Sequence, residues 1–110
     1  MAGGASDAKG GAFEFTVNSP ERCTVRGALT FATAKRARTL GLNAQRAAAK
    51  SFVIDCGEIH QADSAGLAVL LDWLAEARRA GKALHFERLP DGLLRLARIS
   101  AVDGMLQQGV

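Results

Sequence analysis

The sequence predicts a single α/β domain in which helices pack on a mixed β-sheet that opens with an antiparallel hairpin. The chain of 110 residues has the length of one domain rather than two. Its apolar fraction of 48% and charged fraction of 23% are typical of a globular protein. Two alternating strand-like runs come first, and helix and strand patterns then alternate along the chain. That order favours a layered fold with a partly parallel sheet.

The hairpin is predicted from period-two alternation. Residues 13–17 alternate apolar and polar side chains, and residues 22–27 do so again. Residues 18–21, Asn-Ser-Pro-Glu, have the composition of a tight turn. Residues 1–11 contain four glycines and no periodic apolar positions. They predict a flexible tail ahead of a domain over residues 12–108.

A first helix is expected after the hairpin. Thr30 or Thr33 can cap it, and Gly41 is expected to weaken its middle. The small and apolar residues that follow the helical period define its expected inner face: Ala37, Leu40, Ala44, Ala47 and Ala48.

The second half repeats strand and helix. Residues 52–54 form a continuous apolar run that predicts a central strand ending at 55–57, with a loop over 58–62. The strongest helix pattern runs from Ser64 to Ala80 on a stripe of Leu67, Leu70, Leu71 and Leu74. A strand around Leu84 and Phe86, a helix opened by Pro90 and a short closing element over 101–106 complete the chain.

Charge and cysteine usage exclude several classes of function. The net charge is +3, but only six aromatic residues and no nucleic-acid motif accompany it, so no nucleic-acid partner is expected. Cys23 and Cys56 are too few for a zinc cluster or a disulfide scaffold and are expected to be buried thiols.

The apolar run 66–71 is far too short to span a membrane, and no signal peptide is apparent. We therefore expect a cytoplasmic protein without direct membrane insertion.

Charge is also segregated along the chain. Residues 22–54 hold seven basic side chains and no acid, whereas residues 51–77 hold five acids and no Lys or Arg. The basic first helix is expected to be a solvated face, with contact to anionic lipid head groups as the alternative. Its cations are Lys35, Arg36, Arg38, Arg46 and Lys50.

The segment Asp63-Ser64-Ala65-Gly66-Leu67 is the main candidate for a functional site. Asp63 can accept hydrogen bonds from the first turn of the helix, and Gly66 allows another backbone to approach. Ser64 is then expected to be exposed at a helix N-terminus. A protein could dock there, and a phosphate added there would change both charge and shape.

The strand 52–55, a short loop and the run 63–67 resemble the hallmark of STAS domains, and the resemblance extends over residues 13–106. Residues 63–74 and 89–98 are most similar to the small cytoplasmic MlaB-like STAS subunits of Mla phospholipid ABC transporters. This resemblance implies a non-catalytic role in lipid transport, peripheral to the inner membrane through a partner. The implied partner is the transporter's ATPase subunit, with Ser64 at the contact. In anti-sigma factor antagonists of the family the matching serine is phosphorylated by a partner kinase, which is the alternative function.

Helix geometry predicts how this surface continues. Opposite the leucine stripe lie Ala65, Val69, Asp72 and Glu76, with Trp73 at the flank. An apolar pair beside acids is typical of a small interface, and a partner is expected to present basic residues to Asp72 and Glu76. The alternative is that Trp73 folds over the helix edge onto the last helix. The partner-binding set is therefore Asp63, Ser64, Ala65, Gly66, Val69, Asp72, Trp73 and Glu76.

An enzyme would need other features. Ser64, His60 and Asp63 or Glu58 could be combined into a triad, but Ser64 is not in a Gly-x-Ser-x-Gly elbow. Glu58, His60 and Asp63 lack a recognised metal-ligand spacing, and no phosphate-binding loop occurs. No catalytic residue, cofactor or metal is expected.

Overall fold

The computed structural model describes residues 12–110, and the expected tail 1–11 lies outside the described residues. Four strands form one sheet in the order β1-β2-β3-β4. They are β1 Phe13–Ser19, β2 Arg22–Leu29, β3 Ser51–Ala62 and β4 Ala83–Glu87. β1 pairs antiparallel with β2, and β2, β3 and β4 are parallel. The predicted hairpin and mixed α/β sheet are therefore confirmed.

Four helices pack against one face of this sheet. They are α1 Ala34–Ala47, α2 Ser64–Arg79, α3 Asp91–Ile99 and α4 Asp103–Gln108. The covered face buries side chains such as Phe13, Val25, Ile54 and Leu84, and the core lies between this face and the helices. The other face carries mainly polar side chains. None of the helices in the described part of the chain is long and apolar enough to cross a membrane.

β3 is longer than predicted, because the expected loop 58–62 continues the strand. Its pairing with β2 shifts register between Thr24 and Arg26 and again between Gly27 and Ala28. Each shift leaves one extra residue on β3, as in a β-bulge. These bulges break the alternation of buried and exposed side chains, so residues 58–62 lack the period-two pattern that predicts a strand.

α1 has a different inner face from the predicted one. Its buried residues are Ala37, Gly41 and Gln45, whereas Ala47 is exposed. Leu40, Ala44 and Ala48 are only half-buried. A Cβ on Gly41 would lie 2.1 Å from the indole of Trp73, so Gly41 provides the space into which that ring packs.

Thr33 precedes α1 but does not cap it with its side chain. The Thr33 hydroxyl accepts a hydrogen bond from the Thr30 N–H (3.0 Å) and donates one to the Ala28 carbonyl (2.8 Å). The Thr33 N–H donates to the Thr30 carbonyl (3.0 Å). These bonds close a compact turn between β2 and α1 instead.

An ion pair fastens the end of β4 to β3. The Arg88 guanidinium donates to both oxygens of Asp55, at 3.0 and 2.8 Å, and this pairing holds the pKa of Asp55 below its usual range. Arg88 has a φ of 54°, a conformation that costs a non-glycine residue about 1 kcal/mol or more. A Cβ on Gly57 would lie 2.4 Å from the Arg88 guanidinium, so a larger residue there would displace this end of the Arg88 side chain.

Both cysteines are buried and unpaired, as predicted. Burial raises the pKa of the Cys23 thiol, and burial together with the nearby charge of Asp55 raises that of Cys56 to about 12. Both groups are therefore protonated and unreactive at neutral pH.

Candidate functional site

The Asp63 carboxylate joins the start of α2 to the turn between β2 and α1. Its Oδ1 accepts a hydrogen bond from the Gly66 N–H (3.0 Å), which confirms the predicted cap. Its Oδ2 accepts one from the Phe31 N–H (2.9 Å). The bond from Phe31 is the main reason that the pKa of Asp63 is lowered. The carboxylate is therefore ionised at neutral pH and holds two segments that are distant in the sequence.

Gly66 permits these segments to approach closely. A Cβ at this position would lie 2.0 Å from the Leu29 carbonyl oxygen. The Asp63 N–H donates to the same carbonyl (3.3 Å). The expectation that Gly66 lets another backbone come near is confirmed, and the neighbouring backbone is the end of β2.

Ser64 is the first residue of α2, and its side chain is exposed. Its hydroxyl forms no hydrogen bond with the residues that the structure describes. Ala65 is half-buried, and Ala68, one turn further along, is exposed. The motif thus presents a free hydroxyl among small side chains at a helix start that Asp63 caps.

The prediction that Val69 and Trp73 face outward is wrong. Trp73 is 0% exposed and Val69 is 3% exposed. The indole N–H of Trp73 donates to the Arg38 carbonyl (3.3 Å), and its ring meets Phe15 edge-on with centroids 5.6 Å apart. The Trp73 side chain therefore packs against α1 and β1. The alternative that it packs on the last helix is wrong as well.

The physical reason is that α2 is covered on two sides. The sheet covers the side of Leu67, Leu70 and Leu74, while α1 covers the side of Val69 and Trp73. Leu71, which the prediction placed inside, is only half-buried. The solvent-facing line of α2 is therefore rotated from the predicted one and runs along Ser64, Ala68, Asp72 and Ala75.

Asp72 and Glu76 are at the surface, but each already has a cation. Arg38 Nε donates to Asp72 Oδ2 (2.9 Å), and Arg79 donates to both oxygens of Glu76. The hydrogen bonds from Arg79 lower the pKa of Glu76. One ion pair, Arg38 with Asp72, thus joins the basic stretch of the sequence to the acidic one, whereas Glu76 is paired within α2.

Phe31 is a surface residue that the sequence analysis did not single out. Its side chain is 84% exposed, although it lies in the hydrogen-bonded turn before α1. A single aromatic residue between Thr30 and Ala32, outside any alternating pattern, was the available signal.

The residues considered for catalysis or metal binding do not form a compact centre. Glu58 Oε1 lies 3.3 Å from Arg26 Nη2, and His60 makes no hydrogen bond with Ser64 in the described part of the chain. Glu58, His60 and Arg26 line an open cavity of about 390 Å³ beside β1. Among residues 12–110, no group of three His, Cys, Asp or Glu side chains is placed to hold a metal ion.

Comparison with solved structures shows the fold. The anti-sigma factor antagonist SpoIIAA in its unphosphorylated form aligns with a TM-score of 0.67 at 16% identity, covering 84% of each chain. The phosphorylated form of this Bacillus cell fate determinant gives 0.64 at 16% identity, covering 84% of this chain and 86% of that one. A putative anti-sigma factor antagonist from Thermotoga maritima gives 0.66 at 13% identity, covering 86% and 83%.

Sequence comparison shows the family. No curated protein sequence matches the chain. A family model described as "Mlab, STAS domain" matches residues 15–107, which span the sheet, α1, α2, α3 and most of α4. The chain therefore belongs to the MlaB-type STAS domain family.

Proposed function

We propose that this protein is a non-catalytic accessory subunit of a phospholipid-trafficking ABC transporter that maintains outer-membrane lipid asymmetry. It binds the transporter's cytoplasmic ATPase subunit and stays at the inner membrane through that partner. The family match over residues 15–107 supports the class of partner. The contact is formed by Ser64 and the adjacent small surface of α2.

The exposed position of Ser64 carries this proposal. The hydroxyl is at the surface and unpaired within residues 12–110, while the backbone beneath it is held by Asp63 and Gly66. A fixed surface loses little conformational entropy when a partner binds. Of the residues first assigned to partner binding, those that remain at or near the surface are Ser64, Ala65, Asp72 and Glu76. Asp63 and Gly66 act by holding the helix start, and Val69 and Trp73 belong to the core.

The test is binding of the purified chain to the purified ATPase subunit encoded in the same genome, measured by isothermal titration calorimetry. Ser64→Glu adds a bulky charge beside the ionised Asp63 and is expected to weaken binding at least about tenfold, or about 1.4 kcal/mol. Ser51→Glu is the matched control, because Ser51 is exposed at the opposite end of β3. It is expected to bind like the wild type. Equal affinity of Ser64→Glu and wild type would contradict the proposal.

A second candidate is an anti-sigma factor antagonist that is switched by phosphorylation of Ser64. The accessible hydroxyl of Ser64 and the structural likeness to SpoIIAA favour it. Incubation with a serine kinase of this class from the same genome and ATP, read by intact mass, tests it. The switch predicts the addition of one phosphoryl group to the wild type and to Ser51→Ala but not to Ser64→Ala. An unchanged wild-type mass would rule this candidate out.

A further inference from the structure

We propose that Phe31 is the anchor of the contact, and that its ring inserts into an apolar pocket on the ATPase subunit. This inference rests on the proposed function and names the side chain whose truncation is expected to weaken binding most. Four large apolar side chains are exposed in the described part of the chain: Val17, Phe31, Ile99 and Met105. Phe31 is the one that is hydrogen-bonded to the residue preceding Ser64.

The backbone of Phe31 is fixed even though its ring is in solvent. Its N–H donates to Asp63 Oδ2 (2.9 Å), and the turn that carries it is closed by hydrogen bonds of Thr33 to Thr30 and Ala28. An aromatic side chain has few rotatable bonds and a large apolar area. Presented on a fixed turn, it therefore costs little entropy to immobilise. Aromatic residues in such positions often dominate the free energy of an interface.

The exposed residues of the turn and of the start of α2 have small side chains, apart from Phe31 itself. Ala32, Ser64 and Ala68 are exposed, and Ala65 is half-buried. No large side chain of this first turn of α2 is available to cover the ring. The ring therefore stands above its surroundings, and the complementary shape on a partner is a pocket rather than a second protruding side chain.

Charge favours a protein over a lipid surface as the occupant. Arg36 donates to the Phe13 carbonyl (2.6 Å), and Arg38 is paired with Asp72. The ionised Asp63 lies directly behind Phe31 and would repel anionic head groups. Membrane-surface binding requires an apolar face with a border of free cations. Of the three cations in the first half of α1, Arg38 is ion-paired and Arg36 is held by a backbone carbonyl, so Lys35 alone has neither an ion pair nor a hydrogen bond within residues 12–110. The unpaired positive charge of Lys35 instead leads us to expect an acidic residue beside the partner's pocket.

The experiment measures binding of the full chain to the purified ATPase subunit, with Phe31→Ala as the test variant. Ile99→Ala is the matched control, because Ile99 is 81% exposed but lies at the end of α3. Phe31→Ala is expected to weaken binding at least about 30-fold, which corresponds to about 2 kcal/mol. Phe31→Leu is expected to weaken it less, and Ile99→Ala is expected to leave it unchanged. Thermal unfolding of each variant is expected to match the wild type.

The outcomes separate this inference from the proposed function. If Ser64→Glu weakens binding while Phe31→Ala and Ile99→Ala both bind like the wild type, the anchor is wrong and the ATPase contact holds. If the wild type does not bind the ATPase subunit, both are wrong. Sedimentation with vesicles of phosphatidylglycerol and phosphatidylethanolamine that depends on Phe31 would assign the ring to a membrane and overturn the protein pocket.

Discussion

Replacing Gly41 by alanine tests whether Trp73 of α2 packs against α1 rather than facing outward. Helix propensity alone predicts that Gly41→Ala stabilises the protein by about 1 kcal/mol. The structure predicts the opposite sign. The added Cβ would lie 2.1 Å from both Nε1 and Cε2 of Trp73. Since ordinary carbon contacts begin near 3.5 Å, the indole or α1 would have to move by about 1.4 Å.

Trp73 has little room for such a movement. It is 0% exposed, its N–H donates to the Arg38 carbonyl, and its ring is in contact with Phe15. Overpacking of a closed core costs about 1–3 kcal/mol, and this site belongs at the upper end. After subtraction of the gain in propensity, Gly41→Ala is expected to lower the free energy of unfolding by about 2 kcal/mol.

Urea unfolding followed by tryptophan fluorescence measures this effect directly, because Trp73 is the only tryptophan in the sequence. The midpoint is expected to fall by about 1 M urea with little change in slope. Gly92→Ala in α3 is the control, since the nearest atom to its added Cβ would be 3.9 Å away. It is expected to be neutral or stabilising by up to about 1 kcal/mol. A stabilised Gly41→Ala protein would refute the packing of Trp73 against α1.

Two further predictions concern ionisable groups. Because Arg88 lowers the pKa of Asp55, the folded state binds fewer protons than the unfolded state near the unfolded pKa of about 3.9. This contribution to the free energy of unfolding is present above that pH and is lost as the pH falls through the folded pKa. Asp55→Asn is therefore expected to be less stable than the wild type at pH 7 and to lose less stability between about pH 5 and 2. Parallel curves of stability against pH for the two proteins would contradict this. Cys23 and Cys56 are buried, and the pKa of Cys56 is raised to about 12. Ellman's reagent is therefore expected to label neither thiol in the native protein at pH 8 and both thiols in guanidinium chloride. Rapid labelling of the native protein would show that one of them is accessible.

The parts of the fold that follow local rules were predictable from the sequence. The helix pattern placed α2 within one residue of its observed end, and the Asp63 cap and the close approach at Gly66 follow from residue types at fixed offsets. The hairpin likewise follows from two alternating runs and a turn. In the cap and the hairpin the interacting residues are close together in the sequence, and at Gly66 the missing side chain alone indicates that another segment comes near.

The surface of α2 could not be obtained in this way, because it depends on a partner helix. Periodicity finds the leucine stripe, but whether Leu71 or Trp73 completes the buried side depends on the space that Gly41 leaves in α1. The balance of Asp72 by Arg38 depends on the same packing. Phe31 and the second half of β3 were missed for a related reason, since a compact turn and two bulges leave no periodic signal.

Hydrogen–deuterium exchange of the chain alone and bound to the ATPase subunit tests the central claim most directly. The account predicts added protection of the backbone amides over residues 30–33 and 64–69, where Phe31 and Ser64 lie. It predicts no change over residues 51–55 or 83–87, at the far end of β3 and on β4. Protection confined to the strands, with the turn before α1 and the start of α2 unchanged, would contradict it.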